Sequence, residues 1–115
     1  MRKASKNEKS KATKRADVRV SKKVRKRDKL CRKCKKTKST QCAHIFSRSN
    51  MATRWEMDNL LGMCYYCHIF WAHRNPVEFA EWCKEEIGIK KYNKLKKLAA
   101  TIKQWTVEEI NKICT

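Results

Sequence analysis

Two pairs of cysteines stand at the spacing that metal-binding turns use. Cys31 and Cys34 form the first CxxC pair, and Cys64 and Cys67 form the second. Each pair can turn both sulfurs toward one ion, and two pairs supply the four-sulfur tetrahedral set of a structural zinc site. Twenty-nine residues separate the pairs. This is long for a simple zinc ribbon and predicts an inserted unit with a role of its own.

The other three cysteines fall outside this spacing. Cys83 lies among helical apolar positions and is interpreted as a small buried side chain, while Cys42 is kept as an alternative zinc ligand. No apolar segment follows the basic N-terminus, so we expect no secretory signal. Without export, seven cysteines in a short chain favour metal thiolates over a disulfide framework.

All three histidines lie inside or just after the cysteine unit, at His44, His68 and His73. Imidazole titrates near neutral pH and can accept a proton or bind a divalent metal, so these residues are candidates for catalysis. His68 directly follows Cys67, and a helix starting there would place it beside the second cysteine pair. Any one of them alone is more often a surface or packing group. The hypothesis that they take part in catalysis therefore depends on their order along the chain relative to the two cysteine pairs.

The elements that must position these residues are few. Residues 39–45 and 59–63 predict two short strands, and residues 65–74 predict one short helix. A helix should start at Asn75 and Pro76 and end before Gly88. Apolar residues at three- and four-residue spacing predict an amphipathic helix over 89–102 with lysines on its outer face. Thr106 and Glu109 predict a capping box that opens a last helix.

The charge of the chain points to a polyanionic partner. Thirty Lys and Arg against eleven Asp and Glu give a net charge of +19 in 115 residues, and nucleic acid is the commonest polyanion. Residues 1–30 hold fourteen Lys and Arg and three acidic residues. We interpret them as a basic arm that is disordered alone and becomes helical on a nucleic acid, with a solubilising tail as the alternative. No apolar run is long enough for a membrane span, so we expect a cytoplasmic protein without a membrane partner.

The order of these residues resembles that of HNH endonucleases. A His ends the first strand in Cys42-Ala43-His44-Ile45, an Asn opens the second in Asp58-Asn59-Leu60, and a His follows the last cysteine in Cys64-Tyr65-Tyr66-Cys67-His68. The cysteine pairs match the treble-clef zinc of many members. The resemblance covers about residues 31–75. A weaker similarity to phage recombination nucleases of the NinG-like type extends through Asn75-Pro76, Glu78-Phe79 and Trp82.

The resemblance implies a small α+β fold in which residues 31–75 form a ββα-metal nuclease core stapled by a Cys₄ zinc site. Outside the resemblance, we expect residues 1–30 to be a basic arm, disordered or DNA-binding, and residues 76–115 to be a C-terminal helical extension. The implied activity is that of a metal-dependent DNA endonuclease or nickase, a phosphodiester hydrolase. His44 would be the general base, and His68 a ligand of catalytic Mg²⁺ or another divalent cation. Asn59 would orient His44 or join the metal shell.

One position departs from the family pattern. Many HNH proteins carry Asp or His as a metal ligand immediately before the general base, and here that position is Ala43. A methyl group cannot bind a cation, so another group must complete the shell. The candidates are Asn59, Asp58, His73, Gln41 and water. On an ideal α-helix His73 would lie 140° round from His68, which makes it a poor second ligand unless the helix has ended before it.

The basic residues near the cysteine unit are the candidate nucleic-acid contacts. They are Arg25, Arg27, Lys35, Lys36, Arg48 and Arg54. DNA is the expected partner, and we expect a monomer that nicks one strand, of phage or mobile-element origin. Two other classes stay open. One is a non-catalytic zinc module that binds nucleic acid through charge, and the other is a protein-interaction domain that uses the aromatic C-terminal helices.

Overall fold

The computed structural model describes residues 5–115. The fold is small, α+β and mostly helical. The elements are α1 (Lys6–Arg27), β1 (Gln41–His44), a 3₁₀ turn (Met57–Asn59), β2 (Leu60–Met63), a π-helix (Tyr66–Ala72), α2 (Pro76–Ile87), α3 (Ile89–Ala99) and α4 (Val107–Ile113). Both predicted strands and the four predicted helical segments after residue 64 are therefore present. None of the described helices has the length and apolar content that crossing a bilayer requires.

The two strands form an antiparallel hairpin that separates two hydrophobic clusters. His44 pairs with Leu60, and Ala43 pairs with Leu61. Because successive side chains in a strand point to opposite faces, Ala43 and Leu61 pack on the cysteine side while Leu60 packs against α1 and α4. The hairpin thus joins the metal-binding region to the helical part of the molecule.

Residues 6–27 are a packed helix, so the prediction of a disordered arm is wrong for them. The apolar residues at every fourth position, Ala12, Ala16, Val20 and Val24, are all buried and lie in the cluster that includes Ile110 of α4. Ser5 accepts a hydrogen bond from the Glu8 backbone N–H and caps the helix start. Small alanines let α1 approach closely, which a count of large apolar residues does not detect. Residues 1–4 of the predicted arm lie outside the described residues.

Two acidic side chains hold α1 against the core. The Asp17 carboxylate accepts hydrogen bonds from Arg54 at 2.6 Å and from the Trp55 indole at 2.9 Å. Asp28, just after the helix, accepts from Arg27 at 2.7 Å and from the Gly62 N–H at 2.9 Å. Burial would raise the pKa of both carboxyls, but these hydrogen bonds outweigh it and lower each pKa below its ordinary value. Both groups are therefore charged and bonded at neutral pH.

The C-terminal helices follow the predicted signals with one difference. Gly88 ends α2 at φ +89°, a conformation that favours glycine. Thr106 and Glu109 form the predicted capping box at the start of α4. Helix α3 ends at Ala99, so the predicted continuation to residue 102 is wrong, and Ile102 is 95% exposed. Ala100 and Thr101 close the helix with hydrogen bonds to carbonyls three and four residues back.

We expect Gly62→Ala to destabilise the protein by about 1–3 kcal/mol, because β2 packs too closely for a methyl group there. A Cβ at Gly62 would overlap Ser39 Oγ and lie 2.7 Å from Asp28 Cβ. Urea unfolding of the metal-loaded protein measures the change. Ser39→Ala is the control, because its buried hydroxyl has no hydrogen-bond partner among residues 5–115 and its loss should cost little. Equal stability of Gly62→Ala and wild type would contradict this packing.

Candidate functional site

The two predicted cysteine pairs come together in space. The four Sγ atoms all lie within 4.8 Å of one another, and they belong to Cys31, Cys34, Cys64 and Cys67. Cys31, Cys64 and Cys67 are buried, and Cys34 is partly exposed. Cys42 is not a member of the set, and burial raises the pKa of its thiol to about 11. The four-sulfur donor set fits a metal ion such as zinc.

The backbone around the cysteines also suits a bound metal. Backbone N–H groups of Lys36 and Thr37 donate to Cys34 and lower the pKa of its thiol to about 6, and the Cys67 N–H points to Cys64 Sγ at 3.5 Å. Such contacts stabilise thiolates, the form that binds metal. Lys35 holds a left-handed φ of +58° where the first cysteine turn closes. This residue therefore shapes the turn.

The three histidines line one cleft, which we call the histidine cleft. Its volume is about 360 Å³. It is lined by Cys42, Ala43, His44, Ser47, Arg48, His68, Ala72, His73 and Phe79. His44 enters from the end of β1, His68 from the π-helix, and His73 from the position directly after that helix. The histidines are thus supplied by two elements that the cysteine site holds next to each other.

The π-helix brings His73 onto His68. The His73 N–H donates to the His68 carbonyl at 3.2 Å, five residues back, so one turn here contains more residues than an α-helical turn. The two imidazole centroids lie 4.6 Å apart with an interplanar angle of 70°. The separation of 140° does not occur, because the turn is wider than in an α-helix and the helix ends at Ala72, so His73 is the neighbour of His68 in the cleft.

His68 is held in one orientation and stays neutral. Its Nδ1 lies 3.2 Å from Gln41 Oε1. A hydrogen bond from Nδ1–H to that oxygen leaves the lone pair on Nε2, as in metal-binding histidines with a fixed tautomer. Burial, with the nearby His73 and His44, lowers the pKa of His68 to about 4. A neutral imidazole is the form that binds a metal.

His44 is also neutral at physiological pH. Burial lowers its pKa below the usual value, and the nearby Arg54 and Arg48 act in the same direction, while Asp17 and a backbone hydrogen bond with Arg54 oppose it. An unprotonated imidazole in a cleft can accept a proton. The chemistry open to His44 is therefore that of a general base.

Asn59 ties the loop between the strands together. It is completely buried. Its Oδ1 accepts from the Phe46 N–H at 2.8 Å, and its Nδ2 donates to the carbonyls of Phe46 and Thr53 at 3.2 and 3.0 Å. These bonds fix the segment that carries Arg54, whose backbone contacts His44. The geometry thus gives Asn59 a positioning role and does not aim its amide at a cation in the cleft.

Four side chains were named as possible replacements for the metal ligand that is missing at Ala43, and they lie in different parts of the structure. Ala43 itself is fully buried in the cysteine-side cluster. Asp58 lies 3.8 Å from Lys91 Nζ and lines a separate pocket with Arg27 and Glu86. Only His73 and Gln41, of the four side chains named for this position, reach His68 within the described part of the chain.

Two of the six predicted nucleic-acid contacts are used inside the protein. Arg54 pairs with Asp17, and Arg27 donates to Asp28 and to the carbonyls of Met57 and Leu60. These contacts hold α1 in place, while Arg27 stays exposed and Arg54 lines the grooves along α1. Arg25 donates to the Ser21 carbonyl at 3.3 Å. Arg48, Lys35 and Lys36 are exposed.

A basic groove continues from the histidine cleft along α1. A connecting pocket lies between the cleft and a second groove. His44 and Arg48 line both this pocket and the cleft. Asp17, Arg48 and Arg54 line both this pocket and the second groove. That groove, here the α1 groove, has a volume of about 490 Å³. It is lined by Lys6, Lys9, Ser10, Thr13, Lys14, Asp17, Arg48, Met51 and Arg54. Its lysines were visible in the sequence, but their place beside the cleft follows from the packing of α1.

Comparison with known proteins assigns no family to this chain. No protein-family model matches it, and neither a curated protein nor a solved structure does so. The functional assignment therefore depends on the cysteine cluster, the histidine cleft and the α1 groove.

Proposed function

We propose that this protein is a metal-dependent DNA endonuclease or nickase of the HNH type. The observation that carries the proposal is the histidine cleft, which is lined by His44, by the paired imidazoles of His68 and His73, and by Arg48. A proton acceptor, two metal-binding nitrogens and a cation in one cleft are the groups that phosphodiester hydrolysis uses.

The proposed mechanism gives each side chain one task. His44 takes the proton from the attacking water as the new phosphorus–oxygen bond forms. Arg48, exposed at the cleft, holds a phosphate oxygen and orients the scissile group. Asn59 keeps the strand-connecting loop, and through it His44, in place. A divalent ion bound by His68 and His73 would stabilise the charge that develops on the phosphate and on the departing 3′ oxygen.

The donor set favours particular metals. Imidazole nitrogen suits Zn²⁺, Ni²⁺ and similar transition metals, whereas Mg²⁺ prefers oxygen ligands. Two histidines leave further coordination positions for water and phosphate, as a catalytic site needs. The cysteine cluster, with four sulfurs and no open position, would hold a separate structural zinc. We therefore expect stronger activation by Co²⁺ or Ni²⁺ than by Mg²⁺.

The α1 groove supports DNA as the partner. Lys6, Lys9 and Lys14 line it together with Arg48, which also lines the histidine cleft. A phosphate backbone following this groove would be led to His44 by successive positive charges. The acidic Asp17 in the groove is paired with Arg54, so it adds little opposing charge.

One observation favours a second candidate, a zinc module that binds nucleic acid without cutting it. Ala43 occupies the position where the family often carries a metal ligand, and it is buried. In that case the α1 groove would bind DNA and the histidine cleft would have no turnover. Steep salt dependence of binding is expected for both candidates, so only cleavage separates them.

We expect His73→Ala to raise the concentration of Mn²⁺ needed for half-maximal nicking by at least about tenfold, because a cation site loses one of two imidazoles. DNA affinity measured without added divalent metal should stay unchanged. Val77→Ala, at an exposed position of α2, is the matched control for a nearby substitution. An unchanged Mn²⁺ requirement in His73→Ala would remove His73 from the metal site.

A further inference from the structure

A group of aromatic side chains lies exposed next to the cysteine cluster. Tyr65, Tyr66 and Phe70 expose 55%, 69% and 40% of their surface. All three belong to the turn that starts the π-helix or to the π-helix itself. Neighbouring exposed rings of this size on a small protein indicate a binding surface.

The rings are arranged as a platform. Tyr66 and Phe70 are stacked, with centroids 5.7 Å apart and planes inclined by 27°. Tyr65 meets the edge of Phe70 at the same centroid distance and at 73°. These contacts hold the rings against one another and leave the Tyr66 ring largely uncovered. A flat ligand could therefore extend the stack.

A pocket lies between this platform and the first cysteine turn. Its volume is about 440 Å³. It is lined by Lys33, Cys34, Tyr66, Cys67, Phe70, Trp71 and Asn75. We call it the aromatic pocket.

Cations border the rings on two sides. Lys33 Nζ lies 4.5 Å from the centre of a Trp71 ring, and the Arg74 guanidinium carbon lies 5.1 Å from the centre of the Phe70 ring. Residues 29–38 contain six Lys and Arg and no acidic residue, and residues 64–75 contain no acidic residue either. The ligand should thus combine a flat aromatic face with negative charge.

We infer that the aromatic pocket binds unpaired nucleobases of DNA. A nucleotide joins a π face, which stacks on Tyr or Phe, to a phosphate, which Lys33 and Arg74 would attract. Bases inside a duplex are stacked on their neighbours and cannot present their faces. The ligand is therefore a single-stranded or locally unpaired segment.

The pocket and the histidine cleft use opposite sides of one element. His68 and His73 turn toward the cleft, while Tyr66 and Phe70 line the aromatic pocket. The two sites therefore lie next to different faces of the same π-helix. The inference rests on the proposed function only in taking DNA as the partner. It narrows the substrate to DNA that has unpaired nucleotides close to the cut.

The test compares two oligonucleotides of equal charge, a twelve-nucleotide thymidine strand and an abasic strand of the same length. Their dissociation constants are measured by fluorescence anisotropy without added divalent metal. Wild type should bind the thymidine strand at least about tenfold more tightly, because only that strand can stack. Tyr66→Ala and Phe70→Ala should remove this preference, whereas Tyr66→Phe should keep it. Val77→Ala, an exposed apolar change outside the pocket, should leave it unchanged.

Two results would overturn the inference. One is equal binding of both strands by wild type, since the affinity would then come from charge alone. The other is a dimer of wild type that Tyr66→Ala converts to a monomer in sedimentation, with no preference for either strand, since the rings would then bind a second copy of the chain. Neither result depends on cleavage. A protein that never cuts DNA but prefers the thymidine strand would reject the proposed nuclease and retain the aromatic pocket.

Discussion

Replacing His44 with alanine is expected to lower the rate of DNA cleavage about 10²- to 10⁴-fold, the usual contribution of a positioned general base. DNA affinity should stay nearly unchanged, because the groove lysines and Arg48 remain. The substitution should not disturb the fold, since His44 lies at the end of β1 and is only partly buried. The measurement is single-turnover nicking of supercoiled plasmid, paired with a binding titration on the same preparations.

The control for His44→Ala has to distinguish the loss of a general base from a displacement of the loop between β1 and β2. Asn59→Ala removes three hydrogen bonds that hold the loop, so it should lower both the cleavage rate and the unfolding free energy. His44→Ala should lower only the rate. A His44→Ala protein that nicks plasmid as fast as wild type would exclude His44 as the base.

Cys67→Ser is expected to abolish the cooperative fold of the region around the cysteine cluster. Cys67 is buried with Cys31 and Cys64, and their cluster includes Ala43 of β1, Leu61 and Met63 of β2 and Ala72 of the π-helix. Zinc binding to such sites supplies about 10–16 kcal/mol, which is comparable with the total stability of an ordinary domain. Near-UV circular dichroism and zinc content per chain measure the loss.

Cys114→Ser is the matched control for Cys67→Ser, because Cys114 is partly exposed at the end of α4 and lies outside the cluster. It should bind one zinc per chain and unfold like wild type. A strong chelator should reproduce the effect of Cys67→Ser on the wild-type protein. Cooperative unfolding that survives complete removal of metal would contradict a structural zinc site.

The parts of the fold with local signals could be predicted from the sequence. The CxxC spacing predicted the cysteine cluster, short apolar segments predicted both strands, and the Thr106–Glu109 capping box predicted the start of α4. Each of these signals lies within a few neighbouring residues. In these cases the residues that stabilise the structure are the same residues that form the sequence pattern.

The elements that depend on distant contacts could not be predicted in the same way. Helix α1 is stabilised by packing of Ala12 and Ala16 against the α4 side of the core and by the Asp17–Arg54 pair. Its excess of lysine instead predicted disorder. The four-residue spacing from Ala12 to Val24 and the Ser5–Glu8 cap were the signals that could have found it.

His73 shows the same limit within the site. On an α-helix, with 3.6 residues per turn, the His73 and His68 side chains would point in different directions. The wider turn of the π-helix brings their rings together. The spacing of apolar residues and the capping signals do not predict the wide turn of the π-helix. Likewise, the internal pairing of Arg27 and Arg54 requires knowledge of where Asp28 and Asp17 lie.

The most direct test of the histidine cleft as a nuclease site is nicking of supercoiled plasmid by wild type and the His68→Ala variant, side by side. Both are zinc-loaded, and both are assayed with Mg²⁺, with Mn²⁺ and without added divalent metal. The account predicts metal-dependent nicking by wild type and at most a small residual rate in His68→Ala, with both proteins retarding the plasmid equally. Retardation without nicking by wild type in every metal and on every DNA form, including one with unpaired nucleotides, would contradict it.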